Sequence, residues 1–183
     1  MTQKTEESRT EPVGAASWLN GIACLVLDYA ALTDKDAAIN PALGMPPVKA
    51  EHAEVVHGLY AAGFRLVLAT DSNPGLDRRW GLREAGIDEL FAVFLQSGQL
   101  GLSKPDGIFY ELVTTAAVCR PDRIVTIGHS MIKDCQQPIR YGMYAALIRP
   151  LGLEAGEVLP HGARLIRGLE DLIERTPVSQ SAS

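Results

Sequence analysis

The sequence has few cysteines and no long apolar run, and these absences narrow the kinds of protein it can be. Its 183 residues include three cysteines, Cys24, Cys119 and Cys135, and no CxxC pair. We therefore predict reduced thiols rather than a disulfide framework or a zinc site. A transmembrane helix needs roughly 18 or more apolar residues in a row, which this chain lacks, and the polar residues 1–13 do not resemble a signal peptide. We expect a cytoplasmic protein without a membrane partner.

An excess of positive charge is also absent. The chain has 17 Lys and Arg against 22 Asp and Glu, which gives a formal net charge of −5. Since binding to a phosphate backbone requires clustered basic side chains, we expect no nucleic-acid partner. The hydrophobic fraction of 46% is ordinary for a globular protein, and the length suffices for one domain with a sizeable core.

The central part of the chain alternates short apolar runs with segments of helical period. The predicted strands cover residues 22–27, 65–69, 92–95, 123–127 and 145–148. The predicted helices cover residues 48–62, 75–85, 106–118, 134–141 and 162–174. Such alternation predicts right-handed crossovers and an α/β fold with a mostly parallel, five-stranded sheet.

Polar composition predicts disordered tails at residues 1–18 and 176–183, which flank a single domain at residues 19–175. Residues 28–47 form a long connection without clear periodicity. Connections of that length in a compact domain are usually functional or mobile, so this one could act as a small flap.

Polar residues follow four of the predicted strands, at the sheet edge where doubly wound folds bind ligands. They are Asp28 after the first strand, Thr70, Asp71 and Ser72 after the second, Lys104 in the segment after the third, and His129 and Asp134 after the fourth. A carboxylate can act as a nucleophile, and a hydroxyl and a lysine can bind the oxygens of a transferring group. The pattern predicts a site for transfer of a phosphoryl-like group.

These segments resemble the four motifs of the haloacid dehalogenase (HAD) superfamily, and the resemblance covers about residues 21–150. Asp28 matches the nucleophile of motif I, Thr70 the hydroxyl of motif II and Lys104 the lysine of motif III. The stretch Gly-His-Ser-Met-Ile-Lys-Asp at 128–134 is similar to the GDSxxxD form of motif IV. The resemblance implies a Rossmannoid three-layer sandwich, with Asp28 and Lys104 as catalytic residues.

The resemblance further implies that Thr70 and Lys104 bind substrate, with a minor role for Asp71 and Ser72. It also implies a metal site for Mg²⁺ that Asp28, the backbone carbonyl of Ala30, Asp134 and His129 would form. Asp134 would support Lys104 or the metal.

Motifs I and IV are degenerate. Ala30 stands where the family's phosphatases have a second aspartate, which protonates the leaving group. His129 replaces a magnesium-binding aspartate, and imidazole is a poor ligand for Mg²⁺, so any Mg²⁺ would be held weakly. A structural role for His129 is as consistent with the sequence as a role in ligand binding or proton transfer.

The spacings from Asp28 to Thr70 and from Thr70 to Lys104 leave no room for the family's cap domains. We therefore predict a capless, phosphatase-like hydrolase that uses an aspartate nucleophile on a phosphorylated substrate. The alternative is a catalytically inactive HAD-like domain that binds a ligand or a protein. The expected partner is a small phosphorylated molecule or a protein, and an open site would make a homodimer useful.

Overall fold

The strands account for most of the architecture. The computed structural model describes residues 14–34 and 36–174. Its strands are β1 (Gly14–Ala15), β2 (Cys24–Leu27), β3 (Arg65–Thr70), β4 (Phe91–Gln96), β5 (Ile124–Gly128), β6 (Tyr144–Ile148), β7 (Ala163–Ile166) and β8 (Ile173–Glu174). The strands β2 to β7 form one parallel sheet in the order β4-β3-β2-β5-β6-β7. The predicted α/β class with a parallel sheet is confirmed, with six strands in the sheet rather than five.

Helical segments connect these strands. The α-helices are α1 (Ala50–Ala61), α2 (Arg79–Glu84), α3 (Ser97–Leu100), α4 (Gly107–Ala117) and α5 (Gln137–Arg140). A π-helical segment covers Met131–Gln136, and 3₁₀ turns cover Ser17–Leu19, Tyr29–Leu32, Asp88–Leu90, Pro121–Arg123 and Leu169–Leu172. None of the helices in the described ranges is long and apolar enough to cross a membrane.

Both faces of the central strands β2, β3 and β5 are buried, which explains why these strands are apolar runs. All four residues of β2 are buried. Side chains of a strand alternate between the two faces. Leu25 and Leu27 therefore join one core with Leu59 of α1, while Cys24 and Val26 join a second core with α4. The result is a three-layer sandwich with β2 in the middle of the sheet.

The strand order reverses at β2. The chain proceeds from β2 to β3 and β4 on one side, then returns to place β5 on the other side of β2. In doubly wound sheets, the crevice outside the carboxyl ends of the strands at such a reversal is where ligands bind. The reversal thus places the residues that follow β2 and β5 at this crevice.

The predicted helix at residues 162–174 is wrong. In its place, β7 pairs in parallel with β6, and the turn at Leu169–Leu172 leads into β8. The spacing of Ile166, Leu169 and Leu172 resembles an amphipathic helix, and all three are buried. However, the edge of β6 away from β5 would otherwise present unpaired backbone groups, and pairing with them stabilises a strand here.

The composition predicts that residues 14–18 belong to a disordered tail, but these residues are part of the folded domain. β1 pairs antiparallel with β8, and the Ala16 amide donates to the Leu172 carbonyl at 2.9 Å. The side chain of Trp18 donates to the Asp171 carbonyl at 3.3 Å. The remaining residues of both predicted tails, 1–13 and 176–183, lie outside the described residues.

No cap domain is inserted in the connections that the structure describes. Between β2 and β3, apart from Lys35, the chain forms the turn Tyr29–Leu32, a bridge between Asn40 and Met45, and α1. The connection from β3 to β4 holds only α2 and a 3₁₀ turn. Met45 is fully buried, so this part of the 28–47 connection packs on the domain.

The three thiols are free. Burial raises the pKa of Cys24 to about 12 and that of Cys135 to about 11, which keeps both protonated and unreactive at neutral pH.

Candidate active site

A cavity of about 340 Å³ opens at the carboxyl ends of β2, β3 and β5. The residues predicted for the site that line it are Asp28, Ala30, Thr70, Asp71, Lys104, His129 and Asp134. These side chains are up to 106 positions apart in the sequence (28 to 134), and the parallel sheet brings them to one edge. Of the predicted set, only Ser72 is not brought to the cavity.

Lys104 lies between the two central carboxylates. Its Nζ is 2.5 Å from Asp28 Oδ2 and 2.5 Å from Asp134 Oδ1, and all three side chains are largely buried. Burial opposes the charged form of the lysine, but the two carboxylates outweigh it and raise the pKa of Lys104 above its ordinary value. The lysine is therefore an ammonium ion paired with both carboxylates.

Backbone amides bind the other two carboxylate oxygens. The Ala30 amide donates to Asp28 Oδ1 at 2.8 Å, because Asp28 caps the turn Tyr29–Leu32. The Ser130 amide donates to Asp134 Oδ2 at 2.8 Å. Every oxygen of the two carboxylates thus has a defined donor, which fixes both groups in position.

Gly128, the last residue of β5, makes room for Asp134. A Cβ at this position would lie 2.2 Å from Asp134 Oδ2. The hydroxyl of Thr126 donates to the Asp134 carbonyl at 2.7 Å, and Tyr110 donates to the Lys133 carbonyl at 2.6 Å. Together these contacts hold the π-helical segment against the sheet.

The three side chains at the end of β3, those of Thr70, Asp71 and Ser72, contact different partners. Thr70 is buried at the cavity, and its hydroxyl donates to the Asp71 carbonyl at 3.3 Å. Asp71 pairs with Lys133 at 2.6 Å; although burial favours the neutral acid, this ammonium lowers the pKa of Asp71. The Ser72 hydroxyl instead accepts from the Gly98 amide at 3.2 Å, so it fixes α3 rather than facing the site.

His129 lies beside Ala30 at the cavity. Burial lowers the pKa of His129, against the effect of the nearby carboxylates, so the imidazole is neutral at pH 7. A backbone hydrogen bond with Ala30 acts in the opposite direction and raises this pKa. The His129 carbonyl accepts from Arg149 Nη1 at 2.6 Å, which anchors the segment after β5.

Sequence reasoning did not find Tyr29, Arg78 and Lys133, which also line the cavity. The Arg78 guanidinium lies over the Tyr29 ring, 5.0 Å from its centroid. Tyr29 directly follows the predicted nucleophile, and Lys133 precedes Asp134, so adjacency to the motifs was the available signal. Arg78 carried no such signal, because its approach depends on the loop after β3.

A comparison with protein families shows which family the chain belongs to. The model of the haloacid dehalogenase-like hydrolases matches residues 11–136, more than half of the chain. This chain belongs to the haloacid dehalogenase-like hydrolase family. The predicted resemblance to this superfamily is thereby confirmed. Among curated proteins, none matches this HAD-family chain at a significant level.

Solved structures share the HAD fold at low sequence identity. An uncharacterised protein from Listeria monocytogenes serotype 4b has a TM-score of 0.66 and 18% identity, with coverage of 82% of this chain and 94% of that chain. A HAD phosphatase from Thermococcus onnurineus has a TM-score of 0.58 and 22% identity, with coverage of 68% and 56%. YfnB from Bacillus subtilis, solved with bound magnesium, has a TM-score of 0.58 and 20% identity, with coverage of 68% and 54%.

This HAD-family chain spans about half the length of the Thermococcus and Bacillus proteins. At these identities the likeness shows the fold alone. The likeness supports the HAD-like α/β sandwich.

The residues of this HAD site do not fit a magnesium ion. In the described ranges, no group of three or more His, Cys, Asp or Glu side chains is arranged to hold a metal. Lys104 lies between the two carboxylates, and the Ala30 carbonyl accepts from the Thr33 hydroxyl at 3.3 Å. The neutral imidazole of His129 is a poor ligand for this hard cation. We therefore derive no chemical step through a metal.

Proposed function

We propose that this chain is a hydrolase of phosphorylated substrates in which Asp28 is the nucleophile. The observation that carries the proposal is the pairing of Asp28 with the Lys104 ammonium at 2.5 Å, at the wall of an open cavity. The ammonium pairs with the carboxylate of Asp28, and a carboxylate can act as a nucleophile towards phosphorus. Membership of the HAD hydrolase family supports the same reaction class.

The reaction would proceed in two displacements. A carboxylate oxygen of Asp28 forms a bond to phosphorus while the bond to the leaving oxygen breaks, which gives an aspartyl phosphate and the released leaving group. Water then attacks the aspartyl phosphate, releases inorganic phosphate and regenerates Asp28. In this proposal the Thr70 hydroxyl, which lines the cavity, binds an oxygen of the transferring group, and Lys104 offsets the negative charge of Asp28 and Asp134 beside it.

Ala30 limits the substrates that this site can hydrolyse. Its methyl group cannot protonate a leaving group, and general acid catalysis is typically worth about 10²–10⁴-fold in rate. Substrates whose leaving group is stable as an anion, such as acyl or aryl phosphates, do not need that proton. We therefore propose such phosphates as the substrate class, and the capless cavity also admits large molecules.

The nucleophile is tested by turnover of a panel of phosphates by the wild-type chain and by Asp28→Asn. Asp122→Asn makes the same chemical change in an exposed ion pair with Arg120, before the end of β5 opposite to the site, and serves as the matched control. We expect turnover in the wild type and in the control, and background rates in Asp28→Asn. If no phosphate is hydrolysed above background, the chain is a binding domain and the proposal fails.

The leaving-group limit is tested by comparing acetyl phosphate and p-nitrophenyl phosphate with glycerol phosphate. We expect the first two to be hydrolysed much faster than the alkyl ester. Ala30→Asp should raise the rate for glycerol phosphate and change the rate for acetyl phosphate little. Equal rates for all three substrates in the wild type would show that another group donates the proton.

A further inference from the structure

Arg78 lines the cavity, and its guanidinium has no acceptor among the residues that the structure describes. It lies between β3 and α2, and its side chain is partly buried. Its Nε is buried without a hydrogen-bond partner. None of the ion pairs among the described residues includes Arg78. A buried donor without an acceptor costs free energy unless a ligand or water supplies one.

The other cations that line this cavity are already neutralised. Lys104 lies 2.5 Å from each of two carboxylates, Asp28 and Asp134. Lys133 lies 2.6 Å from Asp71. Among the described residues that line the cavity, Arg78 is therefore the cation left to attract an anion.

The protein holds Arg78 in place from two sides. Its amide donates to Gln96 Oε1 at 2.7 Å, and Gln96 is buried at the end of β4. Its guanidinium lies 5.0 Å from the centroid of the Tyr29 ring, and Tyr29 Oη donates to the Pro46 carbonyl at 2.8 Å. Stacking on an aromatic ring orients the planar group without using its hydrogen-bond donors. The arginine is thus pre-organised, which lowers the entropic cost of binding a ligand.

We propose that Arg78 binds the oxygens of the substrate's phosphoryl group. The guanidinium presents several N–H donors in a plane that matches two phosphate oxygens at once. It would supply positive charge at a cavity where no group of three or more metal-binding side chains is found within the described part of the chain. The choice of a phosphoryl group among oxyanions rests on the proposed function.

The test is the binding of inorganic phosphate, measured by titration calorimetry on the full chain. Arg78→Met keeps the apolar stem over Tyr29 and removes the donors, so we expect at least about a tenfold loss of affinity. Arg78→Lys restores the charge without the planar fork and should recover part of the affinity. Arg79→Met is the matched control, because Arg79 lies over Phe94 and pairs with Asp88, away from the cavity.

Thermal melts of each variant show that it is folded before binding is compared. The proposal is overturned if the wild type does not bind phosphate at millimolar concentration, if Arg78→Met binds like the wild type, or if Arg79→Met loses as much affinity. Binding needs no turnover. A chain that binds phosphate through Arg78 but hydrolyses no phosphate would therefore defeat the proposed function alone.

Discussion

At the scale of single residues, the site is controlled by one buried ammonium ion. Lys104 is 4% exposed, and its two carboxylate partners lie at 2.5 Å on either side. Two buried carboxylates without a cation between them would repel each other and lose most of their solvation. The lysine that pairs with Asp28 thus also offsets the cost of burying both carboxylates.

Lys104→Met should therefore lower the free energy of unfolding by about 3–5 kcal/mol. Lys133→Met is the matched control: the Lys133–Asp71 pair is as short, at 2.6 Å, but its side chains are 42% and 40% exposed. An exposed pair of this kind is worth about 0–1 kcal/mol. Urea denaturation of both variants measures the difference. Equal losses would show that burial of the Lys104 group does not control its contribution.

At the scale of elements, the end of β5 packs closely against the π-helical segment because Gly128 has no side chain. The Cβ of an alanine at position 128 would lie 2.2 Å from Asp134 Oδ2. The backbone of Gly128 is not in the left-handed region, so alanine is excluded here by the carboxylate and not by strain. The position of Asp134, and with it that of Lys104, depends on this glycine.

Gly128→Ala should destabilise the fold by about 1–3 kcal/mol, because the carboxylate or the strand must move. Gly14→Ala is the control, since its Cβ would meet no atom of the described residues within 4 Å. We expect that change to leave the melting temperature the same or slightly higher. Thermal melts of both variants measure the difference. A Gly128→Ala protein as stable as the wild type would contradict the close approach of Asp134 to position 128.

The segment after β6 depends on another ion pair. Arg149 donates to Glu157 at 2.5 and 2.9 Å and to the His129 carbonyl at 2.6 Å. The hydrogen bond from Arg149 lowers the pKa of Glu157 from 4.5 to about 2. Because the folded-state pKa is depressed, the pair stabilises the fold above pH 4.5, and this contribution is lost as the pH falls towards 2.

Glu157→Gln should accordingly be less stable than the wild type at pH 7, and the gap should close between pH 4.5 and about 2. Urea denaturation of both proteins across this pH range measures the gap. Glu154→Gln is a suitable control because Glu154 is 72% exposed and 4.0 Å from Arg149. A gap that does not change with pH would mean that the carboxylate charge has no part in it.

The elements also show what the sequence could and could not predict. Asp28 and Lys104 were found because each sits in a motif beside an apolar strand or at the head of a helix. The sequence does not predict β7, because the spacing of Ile166 and Leu169 is equally suited to a helix. The segment is a strand because it pairs with β6, a contact that no local pattern shows. Arg78 was missed because its place over Tyr29 depends on contacts between distant loops.

At the scale of the whole molecule, the two ends of the described chain are joined. β1 pairs with β8, and the Ser17 amide donates to Glu174 at 2.8 Å, across 157 positions of sequence. Leu19 and Leu172 are buried in the same core as Leu25 and Leu59. The C-terminal segment therefore belongs to the core that supports β2, the strand that presents Asp28.

Leu172 lies in a short 3₁₀ turn after the last strand of the main sheet, but its side chain is fully buried. Leu172→Ala should therefore lower the free energy of unfolding by about 2–5 kcal/mol. Leu151→Ala removes the same atoms from a side chain that is fully exposed and should change stability by less than about 0.5 kcal/mol. Because one core connects this turn to β2, fluorescence of the two tryptophans and far-UV circular dichroism should report a single transition in both variants. Separate transitions, or a Leu172→Ala protein as stable as Leu151→Ala, would show that the C-terminal segment unfolds independently of the strand that carries the nucleophile.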